Sequence, residues 1–258
     1  MNVTFIGSGN VAWHLAPALD NTDFPVREVF SRNIHHASAL VEKLYQATPR
    51  ATLDFSQSNS HIFVIAASDD AIPEIVNELV LPANAILLHT SGSVPLSALG
   101  PAATPNIGVL YPLQTFSKSK KIDWKEVPVF VESENADTER VLVAMAKAVS
   151  KKVNRITSSE RKALHIAAVF ASNFVNHMLT IAKDIASSHK ISFDHLKPLV
   201  TETITKALMI GPENSQTGPA SRGDLEMLDR HMEFLRYDDD LAEIYRIVSQ
   251  HIVDRYGE

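Results

Sequence analysis

Cysteine is absent from the 258 residues, which removes disulfides, thiol nucleophiles and thiolate metal sites together and fits a reducing compartment. Metal ligands must then come from His, Asp and Glu. No His-x-x-x-His pair with a carboxylate third ligand falls on a predicted helix, so a metal centre is not expected. Positive charge is scarce: Lys and Arg total 24 against 30 Asp and Glu, for a net −6, and the densest basic run is Lys118-Ser119-Lys120-Lys121. A nucleic-acid footprint is therefore not expected. No continuous apolar run approaches the ~18 residues of a membrane span. No basic segment precedes the apolar N-terminal stretch either. The expectation is a cytoplasmic protein with neither signal peptide nor membrane span.

Glycine is sparse as well, nine residues in all, yet two of them sit in the first ten positions. Met1 to Ala12 reads M-N-V-T-F-I-G-S-G-N-V-A. Val3 to Ile6 is an apolar, β-branched run, and Gly7, Gly9 and Ala12 follow at the spacing of a G-x-G-x-x-G/A loop before an apolar helix pattern. Gly7 permits a tight turn, Gly9 lets backbone approach a pyrophosphate, and Ala12 allows close helix packing. The helix N-terminus adds unpaired N–H groups and a positive dipole end. Gly7, Ser8, Gly9, Asn10 and Val11 are the predicted cofactor cradle.

A second strand, Phe24 to Phe30, ends in Ser31-Arg32-Asn33. An NAD site places a carboxylate near here to hold the ribose, whereas an NADP site uses small and basic groups. With no carboxylate in this turn, and with Arg32 able to clamp a 2′-phosphate, the preference points to NADP. The competing reading is a polar loop with a solvated arginine. Ala37 to Leu44 reads as a helix, then a loop holds Pro49 and Asp54. His61 to Ala67 reads as a strand buried on both faces, and Ala67-Ser68 at its carboxyl end joins the expected cofactor contacts. Asp70 reads as a helix N-cap before Pro73. Ala85 to Leu88 is a further strand, leading into His89-Thr90-Ser91-Gly92-Ser93. His89, Ser91 and Gly92 there fall on the nicotinamide side, although His89 alternatively bonds its own loop. Strands at Asn106 to Leu110, Val127 to Val131 and Lys152 to Ile156, with a helix at Thr138 to Val149, complete a doubly wound α/β pattern.

From Ser158 onward the pattern is helical. The expected division is therefore a Rossmann domain over residues 1–157 and an all-helical substrate and dimerisation domain over 158–258. Serine capping at Ser158-Ser159 opens a long helix from Ala163 to Ala186, apolar nearly all round, which demands cover from another subunit. Lys162, His165, Ser172, Asn176 and Thr180 make one polar stripe at 100° per residue, with Asn173 at its margin and Val169 interrupting it. Such a stripe is either a substrate cavity or a satisfied core network. Phe193 to Met209 is a helix carrying Lys206. Pro212 to Asp224 reads as a long loop, and the helices Leu225 to Leu235 and Asp239 to Tyr256 close the chain, Asp224 and His231 sharing one face.

The N-terminal G-S-G-N-V-A, the stretch Gly108-Val-Leu-Tyr-Pro-Leu-Gln-Thr-Phe116, the segment Leu164-His-Ile-Ala-Ala-Val-Phe-Ala-Ser-Asn-Phe174 and the loop Gln216-Thr-Gly-Pro-Ala-Ser-Arg-Gly-Asp224 together resemble a bacterial family of two-domain Rossmann-like proteins labelled NADP oxidoreductases. The layout is distantly similar to pyrroline-5-carboxylate reductase, 6-phosphogluconate dehydrogenase and the 3-hydroxyacid dehydrogenases, and its first half to deazaflavin-dependent NADP reductases. The resemblance implies an NADP-binding domain, a helical dimerisation domain and a small-molecule substrate held between them, but supplies no reaction. In the 3-hydroxyacid dehydrogenases a Lys lies one helical turn before an Asn on the first helix of the second domain. Here Val169 occupies that place before Asn173. His165, two turns before Asn173, is the titratable substitute, with Lys206 as competitor. Two functions follow: hydride transfer between NADP(H) and a small carbonyl, imine or alcohol, or NADP sensing without turnover.

Overall fold

The computed structural model describes residues 1–257 and divides into two compact units, Met1–His177 and the remainder from Met178 on. The division falls within the long helix. The expected boundary at residue 157 marks that helix's start instead, and its first turns belong to the first unit.

The first unit is an eight-stranded sheet of order β3-β2-β1-β4-β5-β6-β7-β8. Its strands are β1 (Val3–Ile6), β2 (Val26–Phe30), β3 (Thr48–Arg50), β4 (Ile62–Ile65), β5 (Ile86–His89), β6 (Ile107–Pro112), β7 (Pro128–Glu132) and β8 (Lys152–Arg155). Every pairing is parallel except β6 with β7, which is antiparallel. The helices are α1 (Asn10–Asp20), α2 (Ile34–Val41), α3 (Ile72–Glu78) and α4 (Ala136–Val149). Side chains alternate across the sheet as the pleat requires. Val3, Phe5, Ile62 and Val64 join the core that α1, α2 and α4 cover, while Ile6, Phe63 and Ile65 join the one under α3. Both faces are thus buried, which is why β1 and β4 read as continuous apolar runs.

Three expectations change. The segment around Pro49 is β3, an edge strand parallel to β2, and proline is tolerated there because an edge N–H can be dispensed with. Asp70 is no N-cap. It lies inside a 3₁₀ turn, Asp69–Ala71, preceded by Ser68, and no side chain caps α3. The cap of the long helix is Thr157 rather than a serine: its hydroxyl accepts from Glu160 N–H while the Glu160 carboxylate accepts from Thr157 N–H, a reciprocal box.

That long helix runs from Ser158 to Ser188 as α5 (Ser158–Ala168), a π segment (Val169–Phe174) and α6 (Val175–Ser188). By length and composition it reaches a membrane-spanning threshold, with a best-window mean hydropathy of 1.3. Lys162, His165 and Asn173 break every continuous apolar run, so the sequence expectation missed this averaged hydropathy.

The second unit holds α7 (Lys197–Ile210), α8 (Pro212–Ser215), α9 (Leu225–Phe234) and α10 (Asp239–Tyr256). The stretch expected as one loop contains α8 and a 3₁₀ turn at Ala220–Arg222. Asp224 accepts from Met227 N–H as the N-cap of α9, and His231 Nδ1 lies 2.7 Å from the Tyr245 hydroxyl. Much apolar surface is left uncovered in this unit: Leu208 is 84% and Met209 78% exposed.

Candidate active site

The strand order reverses between β1 and β4, and open α/β sheets take their ligands outside the carboxyl ends at such a point. A cavity of about 500 Å³ lies there, lined by Gly7 to Val11, by Phe30, Ser31 and Arg32 after β2, by Ala66, Ala67 and Ser68 after β4, and by Thr90 after β5. The two glycines have different reasons to be glycine. Gly7 has φ +114°, and a Cβ on it would sit 2.3 Å from the Ala66 carbonyl oxygen, so the fold itself forbids a side chain. A Cβ on Gly9 would meet protein no nearer than 3.8 Å, at the same oxygen. The space beside Gly9 is thus left open by the protein, and no side chain caps α1. An open cradle at an uncapped helix N-terminus fits a pyrophosphate.

Arg32 makes no hydrogen bond or ion pair with any described residue and lines this cavity. Glu74 and Glu78, one turn apart on α3, line it too. The sequence reading placed no carboxylate here, and these two were missed because they lie far from the Ser31-Arg32 turn in sequence. Both are exposed, so solvent screens their charge.

A second cavity of about 660 Å³ opens between the end of β6 with the loop after it and the last turns of α5 with the π segment. Tyr111, buried at the end of β6, places its hydroxyl 3.0 Å from His165 Nδ1, and the rings meet edge to face. Burial holds the Tyr111 phenol above its usual range, with Arg161 pulling down and Asp69 pushing up. Gly92 is the seat for this imidazole: a Cβ there would lie 2.4 Å from His165 Nδ1. The loop after β5 therefore connects the two cavities, with Thr90 lining the first and Gly92, two residues on, pressed against a wall group of the second.

Beneath His165, Arg161 is fully buried. Its guanidinium pairs with Glu132 at 3.0 Å and donates to the Ser91 carbonyl at 2.8 Å and to the Ser158 hydroxyl at 3.3 Å. Ser158 in turn donates to Glu132 at 2.6 Å and accepts from Leu96 N–H at 3.1 Å. The network clamps the start of α5 to the β5 loop, and removal of either charged partner would strand the other.

Among solved structures, that of "putative NADP oxidoreductase BF3122" from Bacteroides fragilis is 33% identical to this chain, with a TM-score of 0.90 and 98% of each chain covered. This chain belongs to the family of that oxidoreductase. A model of a domain of unknown function, DUF2520, matches residues 127–252 of the family member described here. Two further structures share the fold. A reductive aminase from Aspergillus terreus in complex with NADPH is 15% identical, covering 100% of this chain and 96% of its own, at TM-score 0.74. A pyrroline-5-carboxylate reductase from Coxiella burnetii is 16% identical, covering 99% and 97%, at TM-score 0.59. No curated protein matches the sequence.

The predicted residues of this family member fall into groups. Gly7, Ser8, Gly9, Asn10, Val11, Ser31, Arg32, Ala67 and Ser68 line the first cavity. Asn33 does not, since its side chain accepts from His35 N–H as the N-cap of α2. Ser91 turns its hydroxyl to Ser93 N–H and Val94 N–H. His89 is wholly buried and accepts from Ser91 N–H through Nδ1, at 3.1 Å, so it bonds its own loop. Burial, helped by nearby Arg161, pushes its pKa down to about 3. Its Nε2 finds no hydrogen-bond partner among the described residues.

His165, Ser172 and Asn173 line the second cavity together, whereas Lys162, Asn176 and Thr180 do not. The π segment accounts for Asn176 and Thr180: it turns more residues per revolution than an α-helix, so a stripe counted at 100° per residue drifts off the cavity beyond Asn173, whereas Lys162 precedes that segment. Lys206 lies on α7 in the second unit. Tyr111 and Arg161 were not singled out from sequence. A clue to Arg161 existed: a cation in the first turn of a helix opposes the dipole and needs a specific partner.

Proposed function

We propose that this protein is an NADP-dependent oxidoreductase passing hydride between NADP(H) and a small carbonyl, imine or alcohol, with His165 as the proton donor. The observation that carries the reading is the β5 loop, which lines the nucleotide cavity at Thr90 and seats His165 at Gly92. Bound NADPH would supply hydride. Gly9 and the N-terminus of α1 would hold its pyrophosphate, and Arg32 a 2′-phosphate. Tyr111 fixes the imidazole at 3.0 Å, its oxygen accepting from Nδ1–H when the ring carries both protons, so that Nε2 holds the transferable proton and the ring is left neutral after giving it up. Ser172 and Asn173 offer hydrogen bonds to the substrate, and Lys206 is the competing donor. Fluorescence titration tests the cofactor assignment: Arg32→Ala should weaken NADPH by about 1.5 to 3 kcal/mol while leaving NADH nearly unchanged. Equal losses would sink it. His165→Gln should keep NADPH affinity and lower kcat by about 10² to 10⁴, whereas near-normal turnover there, with loss in Lys206→Met, would move the role to the lysine.

The same proposal includes a cytoplasmic homodimer. Phe170 is 64% and Phe174 46% exposed on the long helix, and apolar surface of that kind needs a partner. A monomer by light scattering would count against the dimer, and recovery outside the cytoplasmic fraction against the location.

A further inference from the structure

The wall of the His165 cavity is unusual in what it carries. Its ionisable groups are His165 and Tyr111, and no Asp, Glu, Lys or Arg among the described residues lines it. Arg161, one turn before His165, is fully buried and spent on Glu132, Ser91 and Ser158. Gln114, Thr115, Ser172 and Asn173 supply neutral hydrogen-bonding groups, and the rest of the wall is aliphatic or aromatic. The nucleotide cavity of the same unit does carry charges, from Arg32, Glu74 and Glu78. The contrast is between the two cavities of the first unit; a cavity of the second unit, around Met178 and Tyr245, also has no charged residue in its wall among the described residues.

An anionic substrate entering such a wall would give up hydration without a cation to replace it, and a cationic one would find no carboxylate. His165 cannot serve as that cation, because an imidazolium held in an ion pair with a substrate carboxylate is not free to give its proton away. We propose that the substrate is an uncharged carbonyl compound with an apolar body, a ketone or aldehyde, and not a keto acid, an amino acid or an iminium cation. This rests on the oxidoreductase reading above and narrows it. In the reducing direction the carbonyl carbon receives hydride from NADPH, and the π electron pair of the C=O bond moves to oxygen. That oxygen takes the proton from His165 Nε2, giving an alcohol and NADP. Tyr111, kept protonated by its burial, adds no charge to the wall.

The test uses the full chain with NADPH bound and three probes of one shape and different charge: benzamide, benzoate and benzamidine. Binding of NADPH is measured first from its own fluorescence. Each probe is then followed by the change in that fluorescence and in the His165 ring resonances. Benzamide should bind at least about tenfold more tightly than either charged probe, the least that one unpaired charge should cost. Acetophenone should consume NADPH faster than benzoylformate. Gln114→Arg, which puts a cation on an exposed part of the wall, should bring benzoate level with benzamide. Failure to bind NADPH would overturn the oxidoreductase reading. With NADPH bound, a preference for benzoate or benzamidine, equal binding of all three, or binding of none would overturn the substrate class.

Discussion

Gly92→Ala isolates the seat of His165 from everything else at the site. The backbone of Gly92 is not in the left-handed region, so alanine is conformationally allowed and only space decides the outcome. The new methyl would lie 2.4 Å from His165 Nδ1, 2.7 Å from its Cγ and 3.0 Å from its Cβ. Ordinary contact needs roughly 3.5 Å, so the ring must retreat by about 1 Å. A retreat of that size disturbs the contact of Nδ1 with the Tyr111 hydroxyl, now at 3.0 Å. Overpacking of this kind costs about 1 to 3 kcal/mol, which for a chain of this size lowers Tm by several degrees, about 2 to 4 °C per kcal/mol. A misplacement of about 1 Å in a reacting group costs on the order of 10² in rate. NADPH affinity should stay near normal, because Thr90 and the glycine loop are untouched. The assays are thermal melting, NADPH fluorescence, the ring-nitrogen shifts of His165, and kcat on a carbonyl substrate. A Gly92→Ala protein with unaltered His165 shifts and full turnover would refute the argument that this glycine positions His165.

Two other perturbations separate fold from function. Gly9→Ala should fold with almost unchanged Tm, since its methyl meets protein only at 3.8 Å. It should nonetheless weaken NADPH about tenfold or more by filling the space a pyrophosphate needs. Gly7→Ala, at φ +114° and 2.3 Å from a carbonyl oxygen, should lose more than about 1 kcal/mol of stability in denaturant melts. The reverse ranking would refute the two roles. His89 should make the protein acid-sensitive. Its folded pKa of about 3 lies below the unfolded value of 6.5, so as pH falls below about 6.5 the unfolded chain binds a proton that the native state refuses. Stability should then drop by up to about 1.4 kcal/mol per pH unit on the way to about pH 3. His89→Gln should flatten that slope by about one proton in urea melts; an unchanged slope would show that His89 is protonated in the fold.

The glycine cradle was readable because its constraints are local. A short apolar strand, a glycine that must take positive φ and a helix start all fall within Val3 to Ala12. The helix Asp239–Tyr256 was likewise exact, with Asp238 accepting from Leu241 N–H to mark its start. The other half of the site joins residues distant in sequence. Tyr111 meets His165 across 54 positions and Arg161 meets the Ser91 carbonyl across 70, and no periodicity encodes such meetings. The π segment has no compositional signature, so the polar stripe drifts where the helix widens. β3 is only three residues long with proline at its centre, too short for an alternating pattern to register. The antiparallel turn from β6 to β7 is equally silent, because both strands read as apolar runs whatever their direction.

The two outer strands of the sheet decide how the protein can associate. β3, at one margin, is three residues with Pro49 in the middle. β8, at the other, carries Lys152 and Arg155, paired to Glu126 at 2.8 Å and Glu139 at 2.6 Å. Neither margin offers a long, uncharged row of backbone donors and acceptors for another chain to zip onto. Growth of the sheet by strand addition is closed at both ends, so self-association is steered toward the apolar helix surfaces. Folded molecules are correspondingly protected from fibrillar stacking through this sheet.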